Sequence, residues 1–507
     1  MSRFLDETDN SSQIWLFPPS LSEMIPQDCD VRPFKQMMDK LDYKTLIDSY
    51  SEKGRQPYPP HIMSKLLVYA YSNGIRSSRD IEKLAKYDVR YMWLCENFKP
   101  DHNTIARFRK DKYQYLTDLF AKSIILCEQC GLVSLKCIAI DGSKFESNTS
   151  KKSIYGEKEI TASRKLAEKI LIEAEKADEE GSNTDSDKDN KRKKAEELNS
   201  KAERAEAELK SSGRKTTSLS DPESRMMKTL HGKKFCFNIQ MAVDVTSGVI
   251  VHSSVNNLEN DHRQLPGVLG DIRKNLGLYP EAMLLDTGYC DDVNLGYARE
   301  SNINALIPVQ RHKSEKENQE NPYYGKNFEY CKDRDVLICP GNRELTFTKI
   351  RKNAHGSYYR EYIITGCGDC EFCAECCKHE PSRRRRVYLG IEHEYREDMK
   401  HKMSLDENKE LFKKRKQSIE PTFGQIKQNY NLRRFNLRGI AGATAEIMLI
   451  CIAYNIRKAV CCAVNSFKCR IFAHIRGIYR KNMGKILVLR YLSIKSACLI
   501  NDDYLLQ

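Results

Sequence analysis

Residues 137–142 of the chain have the sequence CIAIDG, and residues 282–288 have the sequence AMLLDTG. Each is a short run of apolar strand formers that ends at an aspartate, Asp141 or Asp286, and is too short for a helix. Ligands in open α/β sheets gather at the carboxyl ends of the strands, so an acid there is well placed for a functional site. Either aspartate alone is better explained as the start of a turn. Two aspartates on similar strands favour a shared site.

The segments around these two runs predict an α/β fold. Residues 235–245 and 249–255 favour the two strands of a hairpin, joined across a Thr-Ser-Gly turn. A helix is predicted at 261–276 and a further strand at 303–309. The order is therefore three strands, a helix, a strand, a helix and a strand, in which buried strands present acids at their ends.

Residues 1–130 are predicted to be helical. One helix is expected after Pro59-Pro60 and ends near Asn73-Gly74, and another begins near Ser77. Two helices joined by a turn with glycine resemble a DNA-binding module, but the pattern is common in plain helical bundles and alone favours a structural role. The candidate DNA-binding side chains of these helices are Arg76, Arg79, Arg107 and Arg109.

Two segments interrupt the α/β pattern. Residues 157–212 are rich in Ala, Glu, Lys, Leu and Arg without proline. Two helical stretches, split by a break at 181–186, suggest a helical hairpin. A solvated charged segment is the alternative for the middle of this hairpin. Residues 310–400 are rich in Tyr, Cys and Arg, which indicates short strands and loops. After residue 404 apolar residues again recur at helical spacing.

Cysteines crowd the second insertion, where two-residue gaps separate Cys367, Cys370, Cys373 and Cys376. Thiolates at this spacing, with the distant Cys-Pro pair that begins at Cys339, can close a tetrahedral zinc site. The alternative is a set of buried or free thiols, because the register is ambiguous and no second clean CxxC pair is present. A zinc ion here would fold the insertion and take no part in catalysis.

The formal net charge of +14 is concentrated near the C-terminus. Residues 401–507 contain 20 Lys and Arg residues against 7 Asp and Glu residues. Such a region is typical of polyanion binding through counterion release, and equally of a solvated helical surface. The polar start of the chain is unlike a signal peptide, and the longest apolar run, 447–454, is short for a membrane span. The 19 cysteines are therefore expected in a reducing cytosol.

Glu420 and Lys427 lie seven residues apart in a predicted helix. Seven residues are two helical turns, so the two side chains share a face. A glutamate that faces a metal and a lysine that faces the nearby phosphate would work together. Such pairs commonly decorate exposed helices, so the local pattern is weak alone.

Several motifs, taken in order, resemble those of the DDE transposases of bacterial insertion sequences. The matching segments are GRQPYPP at 54–60, GIRSSR at 74–79, PDHNTIARFR at 100–109, AIDG at 139–142, SDPESR at 220–225, LDTGY at 285–289 and IEPTFGQIK at 419–427. Together with flanking residues they span 31 to about 458, and their order and spacing are specific. The resemblance implies a ribonuclease-H-like mixed sheet flanked by helices, an all-α N-terminal domain, and a long insertion between the second aspartate and the glutamate.

By position, the resemblance implies that Asp141, Asp286 and Glu420 hold two divalent cations, Mg²⁺ or Mn²⁺, and that Lys427 assists catalysis. Two metal ions stabilise the attacking and leaving oxygens of a phosphodiester, which requires converging carboxylates. Water would nick one strand at each element end, and the freed 3′ hydroxyl would then attack target DNA. The thiols that best match a structural Zn²⁺ site of the family are Cys339, Cys367, Cys370 and Cys376.

The chain departs from the family upstream of the glutamate. Relatives have a tyrosine and an arginine seven and four residues before it, where this sequence has Lys413 and Lys416. The upstream basic role, toward DNA, is therefore open between Arg415 and Lys416. Asn238 and Gln240 also resemble a family pattern, without an assigned chemical role.

The resemblance implies double-stranded DNA as the partner, both at terminal inverted repeats and at the target, with a homodimer or larger assembly on DNA. The protein is expected in the bacterial cytoplasm at the nucleoid, with no membrane partner. The predicted divisions are a DNA-binding or dimerisation domain at 1–130, a catalytic core at 131–156, 213–309 and 401–460, a charged helical insertion at 157–212, a Cys-rich insertion at 310–400 and a basic tail at 461–507. The alternatives are a catalytically silent DNA-binding protein derived from a transposase, and a related metal-dependent nuclease or junction resolvase.

Overall fold

The computed structural model describes residues 20–51, 56–179, 185–309, 317–318, 320–352, 358–377 and 384–482. Its N-terminal part is helical, with α1 (Val31–Asp39), α2 (Lys44–Asp48), α3 (Pro60–Ser72), α4 (Ser78–Tyr87), α5 (Val89–Leu94), α6 (His102–Asp111) and α7 (Tyr113–Gln129). Pro60 in the first turn of α3 needs no backbone donor there, and the Ser77 side chain caps α4. These local signals place the two helices where the sequence predicts them.

A mixed sheet forms the centre of the molecule. The first eight strands are β1 (Cys137–Glu146), β2 (Ile154–Gly156), β3 (Thr216–Ser218), β4 (Arg225–Thr229), β5 (Gly232–Asp244), β6 (Ile250–Asn256), β7 (Ala282–Leu284) and β8 (Asn304–Leu306). Strands β4 and β6 both pair with β5, which pairs antiparallel with β1. On the other side, β1, β7 and β8 run parallel. The short strands β2 and β3 pair with each other.

Two of the predicted boundaries were wrong. Strand β1 does not end at Asp141 but continues to Glu146, because β5 pairs with it along this length and supplies its hydrogen bonds. The helix expected from residue 261 begins only at Leu265, in α10 (Leu265–Leu276), and residue 261 lies in the preceding loop. Helix α11 (Asp292–Glu300) follows β7, so the predicted order of elements is correct.

The first insertion contains two helices, α8 (Glu157–Glu179) and α9 (Asp185–Ser212), which pack against each other. Alanines repeat every seven residues on both helices and are buried, at Ala167, Ala174, Ala195 and Ala202. Small side chains at this spacing allow the two backbones to approach closely. The predicted break at 181–186 lies largely outside the described residues.

The second insertion forms an antiparallel sheet with its own small core. Its strands are β9 (Glu329–Cys331), β10 (Val336–Ile338), β11 (Glu344–Lys352), β12 (Tyr358–Ile364) and β13 (Arg385–Gly390), paired in the order β13-β12-β11-β10-β9. The short helix α12 (Cys373–Cys376) follows β12. Leu337, Leu345 and Tyr362 are fully buried between these strands.

The chain then returns to the central sheet through α13 (His393–Ser404), α14 (Asp406–Gln428) and α15 (Gly439–Asn482). Helix α14 packs on β1, and α15 packs on α3, α7 and β6. By length and composition, Gly439–Val464 could cross a membrane, but 61% of its apolar window is buried inside the protein. It is therefore the central helix of the hydrophobic core, which joins the N-terminal helices to the sheet.

Candidate active site

Asp141 and Asp286 meet because β1 and β7 are neighbouring parallel strands. Ala139 pairs with Leu284, so each aspartate lies two residues beyond the same pair. The Arg415 guanidinium, from α14, lies between the two carboxylates. Its Nη2 is 3.0 Å from Asp141 Oδ2 and 4.0 Å from Asp286 Oδ2. The structure therefore brings the two predicted aspartates together around one cation.

A third aspartate, Asp261, joins this cluster and is not among the residues predicted from the sequence. It lies in the loop between β6 and α10, and its Oδ1 accepts hydrogen bonds from Asn238 Nδ2 at 2.9 Å and Gln240 Nε2 at 2.6 Å. One sequence signal could have indicated this acid. Asn238 and Gln240 occupy alternate positions of β5, so their side chains lie on one face of the sheet and need a polar partner there. The expectation of a helix from residue 261 concealed the loop.

Negative charge dominates the cluster. Burial raises the pKa of Asp141 to about 6, against the lowering effect of Arg415, and the neighbouring Asp286 carboxylate raises it further. Burial also raises the pKa of Asp286, where Arg415 again opposes the shift and Asp261 adds to it. Buried like charges disfavour ionisation, so a further cation beside these carboxylates would stabilise their charged forms.

Lys427 reaches the same face of β1 from α14. Its Nζ donates to Ser143 Oγ at 3.0 Å and lies 5.0 Å from the ring centre of Phe145. Burial lowers the pKa of Lys427, and Asp141 opposes that shift. The lysine is therefore a second cation at the edge of the aspartate cluster.

Glu420 is placed differently from the two predicted aspartates. It lies on α14, which runs through Pro421 without a break, so it shares a helix face with Lys427 as expected. Its side chain is exposed and, among the described residues, has no hydrogen bond or ion pair. The structure does not bring Glu420 into contact with the aspartate cluster.

In the described part of the chain, no group of three or more His, Cys, Asp or Glu side chains is arranged to hold a metal ion. The chemistry of the aspartate cluster nevertheless suits a divalent cation, because hard cations such as Mg²⁺ bind carboxylate oxygens. The Arg415 guanidinium already lies between Asp141 and Asp286 as a cationic stand-in.

The cysteines of the second insertion lie close together. They line one small cavity with Pro340 and Phe372, and the group consists of Cys339, Cys367, Cys370, Cys373, Cys376 and Cys377. All are free thiols, and burial raises the pKa of both Cys367 and Cys376. The four thiols predicted to bind zinc are thus neighbours in space, and the zinc site stays a prediction.

Two of the predicted DNA-binding arginines need correction, because Arg76 and Arg109 are buried. Arg76 donates to the carbonyls of Asn431 and Arg434 and lies 3.3 Å from Glu446. Arg109 donates to the Tyr71 hydroxyl, the Arg76 carbonyl and Ser78. The Arg76 guanidinium connects the N-terminal helices to the segment after α14 and to Glu446, and the Arg109 guanidinium connects α6 to α3 and α4. Neither is free to meet DNA.

The other predicted basic residues are Arg79, Arg107 and Lys416, and all three are exposed. Within the described residues none of them has an ion pair or a side-chain hydrogen bond. They remain available to an external anion. Arg415, in contrast, is buried at the aspartate cluster, which separates the two upstream candidates.

Two family models match this chain, one in its N-terminal part and one in its C-terminal half. Residues 338–460, which include Arg415, Glu420 and Lys427, match the family model of a transposase DDE domain. Residues 19–111 match a second model, the DUF772 transposase domain. No curated protein matches the chain.

Among solved structures, the cryo-EM structure of the piggyBac transposase synaptic complex with hairpin DNA matches 84% of this chain and 73% of that chain. The identity is 11% and the TM-score 0.28, which is too low to bear on the fold. The two family models match separate parts of one chain and agree on its class. Both matched models describe transposase domains, one of them a DDE domain, and they support a DNA transposase function for the chain.

Proposed function

We propose that this transposase cuts DNA at the ends of a bacterial insertion sequence and joins the cut ends to target DNA by a two-metal mechanism. The observation that carries the proposal is the convergence of Asp141 and Asp286 from the parallel strands β1 and β7. Arg415 binds both carboxylates, so the two side chains already share one cation.

The strand order supports a ribonuclease-H-like core. Strands β6, β5, β1, β7 and β8 lie side by side, with the first three antiparallel and the last two parallel to β1. We propose that this core comprises 131–156, 213–309 and 401–460, with insertions at 157–212 and 310–400. Residues 1–130 would form the DNA-binding or dimerisation domain, and 461–507 a basic tail.

The metals would be held by Asp141 and Asp286, where they would stabilise charge on the attacking and leaving oxygens. Lys427 is placed to bind a nearby phosphate oxygen, since its ammonium already reaches Ser143 beside Asp141. Glu420 is exposed on the same helix face two turns away. We propose that it completes the site when DNA and metal are bound, and that Arg415 then moves from between the aspartates to a phosphate.

The DNA backbone would follow a groove between the N-terminal helices and the segment after α14. This groove encloses about 660 Å³ and is lined by Lys83, Arg433 and Arg434. Lys83 and Arg433 are exposed and have no ion pair within the described residues. Lys and Arg side chains that neutralise phosphates supply most non-specific affinity for DNA. The exposed Arg79, on α4, extends the same surface.

The proposal is tested with duplex DNA that carries the terminal repeats of the element, in Mg²⁺ or Mn²⁺. Nicking at the repeat ends by the wild-type chain is the expected result. A pre-cut 3′ end should also be joined to target DNA, which a nuclease or resolvase would not do. Binding without any metal-dependent nicking would favour a catalytically silent DNA-binding protein.

Glu420→Gln is the sharpest variant for the third carboxylate. If Glu420 completes the site, cleavage is lost while thermal stability stays the same, because the side chain is exposed. Glu407→Gln, on the same helix and also exposed, is the matched control. Wild-type cleavage by Glu420→Gln would remove Glu420 from the mechanism.

We further propose that the chain assembles on DNA as a homodimer or larger oligomer at the bacterial nucleoid. The mass of the protein–DNA complex in solution tests the oligomeric state.

A further inference from the structure

The loop that carries Asp261 is held against the aspartate cluster by two amides. Asn238 and Gln240 lie on β5, where Gln240 pairs with Gly142 of β1. Both donate to the same oxygen, Oδ1 of Asp261. Oδ2 has no donor among the described residues. One carboxylate oxygen is thus anchored and the other is free.

Two glycines make room for this carboxylate. A Cβ at position 142 would overlap Oδ1 of Asp261 and lie 2.7 Å from its Cγ. A Cβ at position 288 would lie 3.3 Å from Oδ2 of Asp261 and 3.0 Å from Asp286 Oδ1. Gly142 lies inside β1, not in a turn, so close approach of Asp261 is the physical reason for a glycine after Asp141.

The two amides differ in how completely they are hydrogen-bonded. Tyr289 donates to Gln240 Oε1, so both ends of that amide are bonded. Asn238 is 1% exposed, donates its Nδ2 to Asp261, and its Oδ1 has no hydrogen-bond partner among the described residues. A buried acceptor without a donor is costly, so among the described residues Asn238 Oδ1 marks a polar position beside Asp261 that the protein does not satisfy by itself.

We propose that Asp261 is a further carboxylate ligand of the divalent cation, which it binds through Oδ2 together with Asp141 and Asp286. The inference rests on the proposed two-metal function. The ligands of the proposed cation would come from three separate segments, the strand β1, the end of β7 and the β6–α10 loop. All are carboxylate oxygens, which Mg²⁺ and Mn²⁺ prefer. Asn238 and Gln240 act as positioning residues, since they orient the ligand and touch no reacting atom.

The test measures Mn²⁺ binding to the full chain without DNA, by calorimetry and by the electron paramagnetic resonance of free Mn²⁺. Asp261→Asn keeps an oxygen for the two amides and removes the charge from the free position. Loss of a residue that only orients a metal ligand already costs roughly 10–100-fold in affinity, so loss of a direct ligand should weaken Mn²⁺ binding by at least about 10-fold. Glu259→Gln removes one negative charge from an exposed position two residues away and should leave the affinity unchanged. Wild-type affinity in Asp261→Asn would overturn the proposal.

A second variant, Gly142→Ala, displaces the Asp261 carboxylate without removing any charge. It should also weaken Mn²⁺ binding, with an unchanged circular dichroism spectrum. A loss in Gly142→Ala but not in Asp261→Asn would place the effect on Asp141 and overturn the inference.

Asp286→Asn separates this inference from the proposed function. If Asp286→Asn loses Mn²⁺ and Asp261→Asn does not, only the role of Asp261 fails. If both variants bind Mn²⁺ like the wild type, the proposed metal site itself fails, and the inference fails with it.

Discussion

Two buried ionic clusters differ in whether their charges are balanced inside the protein. At the junction between the N-terminal helices and α15, the buried Glu446 forms an ion pair with Arg76, feels the charge of Arg109, and accepts hydrogen bonds at Oε1 from the backbone of Asn436 and Leu437. At the sheet, Arg415 lies between Asp141 and Asp286, Asp261 is bonded to Asn238 and Gln240 beside them, and Asp261 Oδ2 has no donor among the described residues. In the first cluster the single carboxylate is balanced by two guanidiniums, so we expect it to stabilise the fold. The second has excess negative charge, which is typical of a site that binds an external cation.

The largest expected effect is on catalysis. Asp286→Asn should abolish DNA cleavage, because it removes a carboxylate from the site that organises the phosphodiester, while DNA affinity stays nearly unchanged or rises slightly. Gel-shift and nicking assays on the same DNA measure both quantities. A variant that still cuts at the wild-type rate would remove Asp286 from the mechanism and make the second cluster structural like the first.

The junction cluster should control stability instead. Arg76→Ala leaves Glu446 buried without its partner and should lower the free energy of unfolding by about 3–5 kcal/mol. Urea unfolding followed by circular dichroism checks this. Arg79→Ala, three residues away and exposed, is the matched control and should unfold like the wild type. Equal stability of Arg76→Ala and Arg79→Ala would show that the junction cluster does not support the fold.

Added metal should separate the two clusters further. Mn²⁺ should stabilise the wild type by about 2.7 kcal/mol at a concentration of 100 times Kd. Glu446→Gln should keep this stabilisation, and Asp286→Asn should lose it. Thermal unfolding with and without Mn²⁺ gives the difference, and equal stabilisation of both variants would place the metal elsewhere.

The pH dependence of that stabilisation follows from Asp141, whose pKa is raised to about 6. Without metal, ionised Asp141 costs stability, so its contribution declines as the pH rises from the ordinary value of 3.8 through about 6. Metal binds the ionised form. Stabilisation by Mn²⁺ should therefore appear as the pH rises through about 6, and a pH-independent effect would contradict this.

The smallest effect is expected at the DNA surface. Arg79→Ala should weaken DNA binding uniformly and reduce the slope of log affinity against log salt by about 1. Binding titrations at several salt concentrations measure that slope. An unchanged slope would exclude Arg79 from the DNA path and return the N-terminal helices to a structural role.

Some features were predictable because their signals are local. Sequence neighbours alone determine several of these signals. They are the apolar runs before Asp141 and Asp286, the proline at the start of α3 and the charged helical hairpin. The two strand aspartates were also found this way. Glu420 and Lys427 were placed on one helix face by their spacing, which is again a local property.

Other features could not be predicted, because they depend on pairs of residues distant in the chain. Burial of Arg76 depends on Glu446, which lies 370 positions later. In the sequence alone, Arg76 and Arg79 look alike, because each is a basic residue beside the same turn. It cannot distinguish a guanidinium that is enclosed by α15 from one that faces solvent.

Local hydrophobic spacing and turn chemistry thus sufficed for the α/β class, the order of the elements and two aspartates of the site. Tertiary packing decided the composition of the site: it added Asp261 and Arg415, enclosed Arg76 and Arg109, and left Glu420 exposed. The physical reason is that charge and hydrogen-bond balance at a buried point depends on every segment that meets there. Three strands, a loop and a helix meet at these aspartates, and no stretch of sequence contains them all.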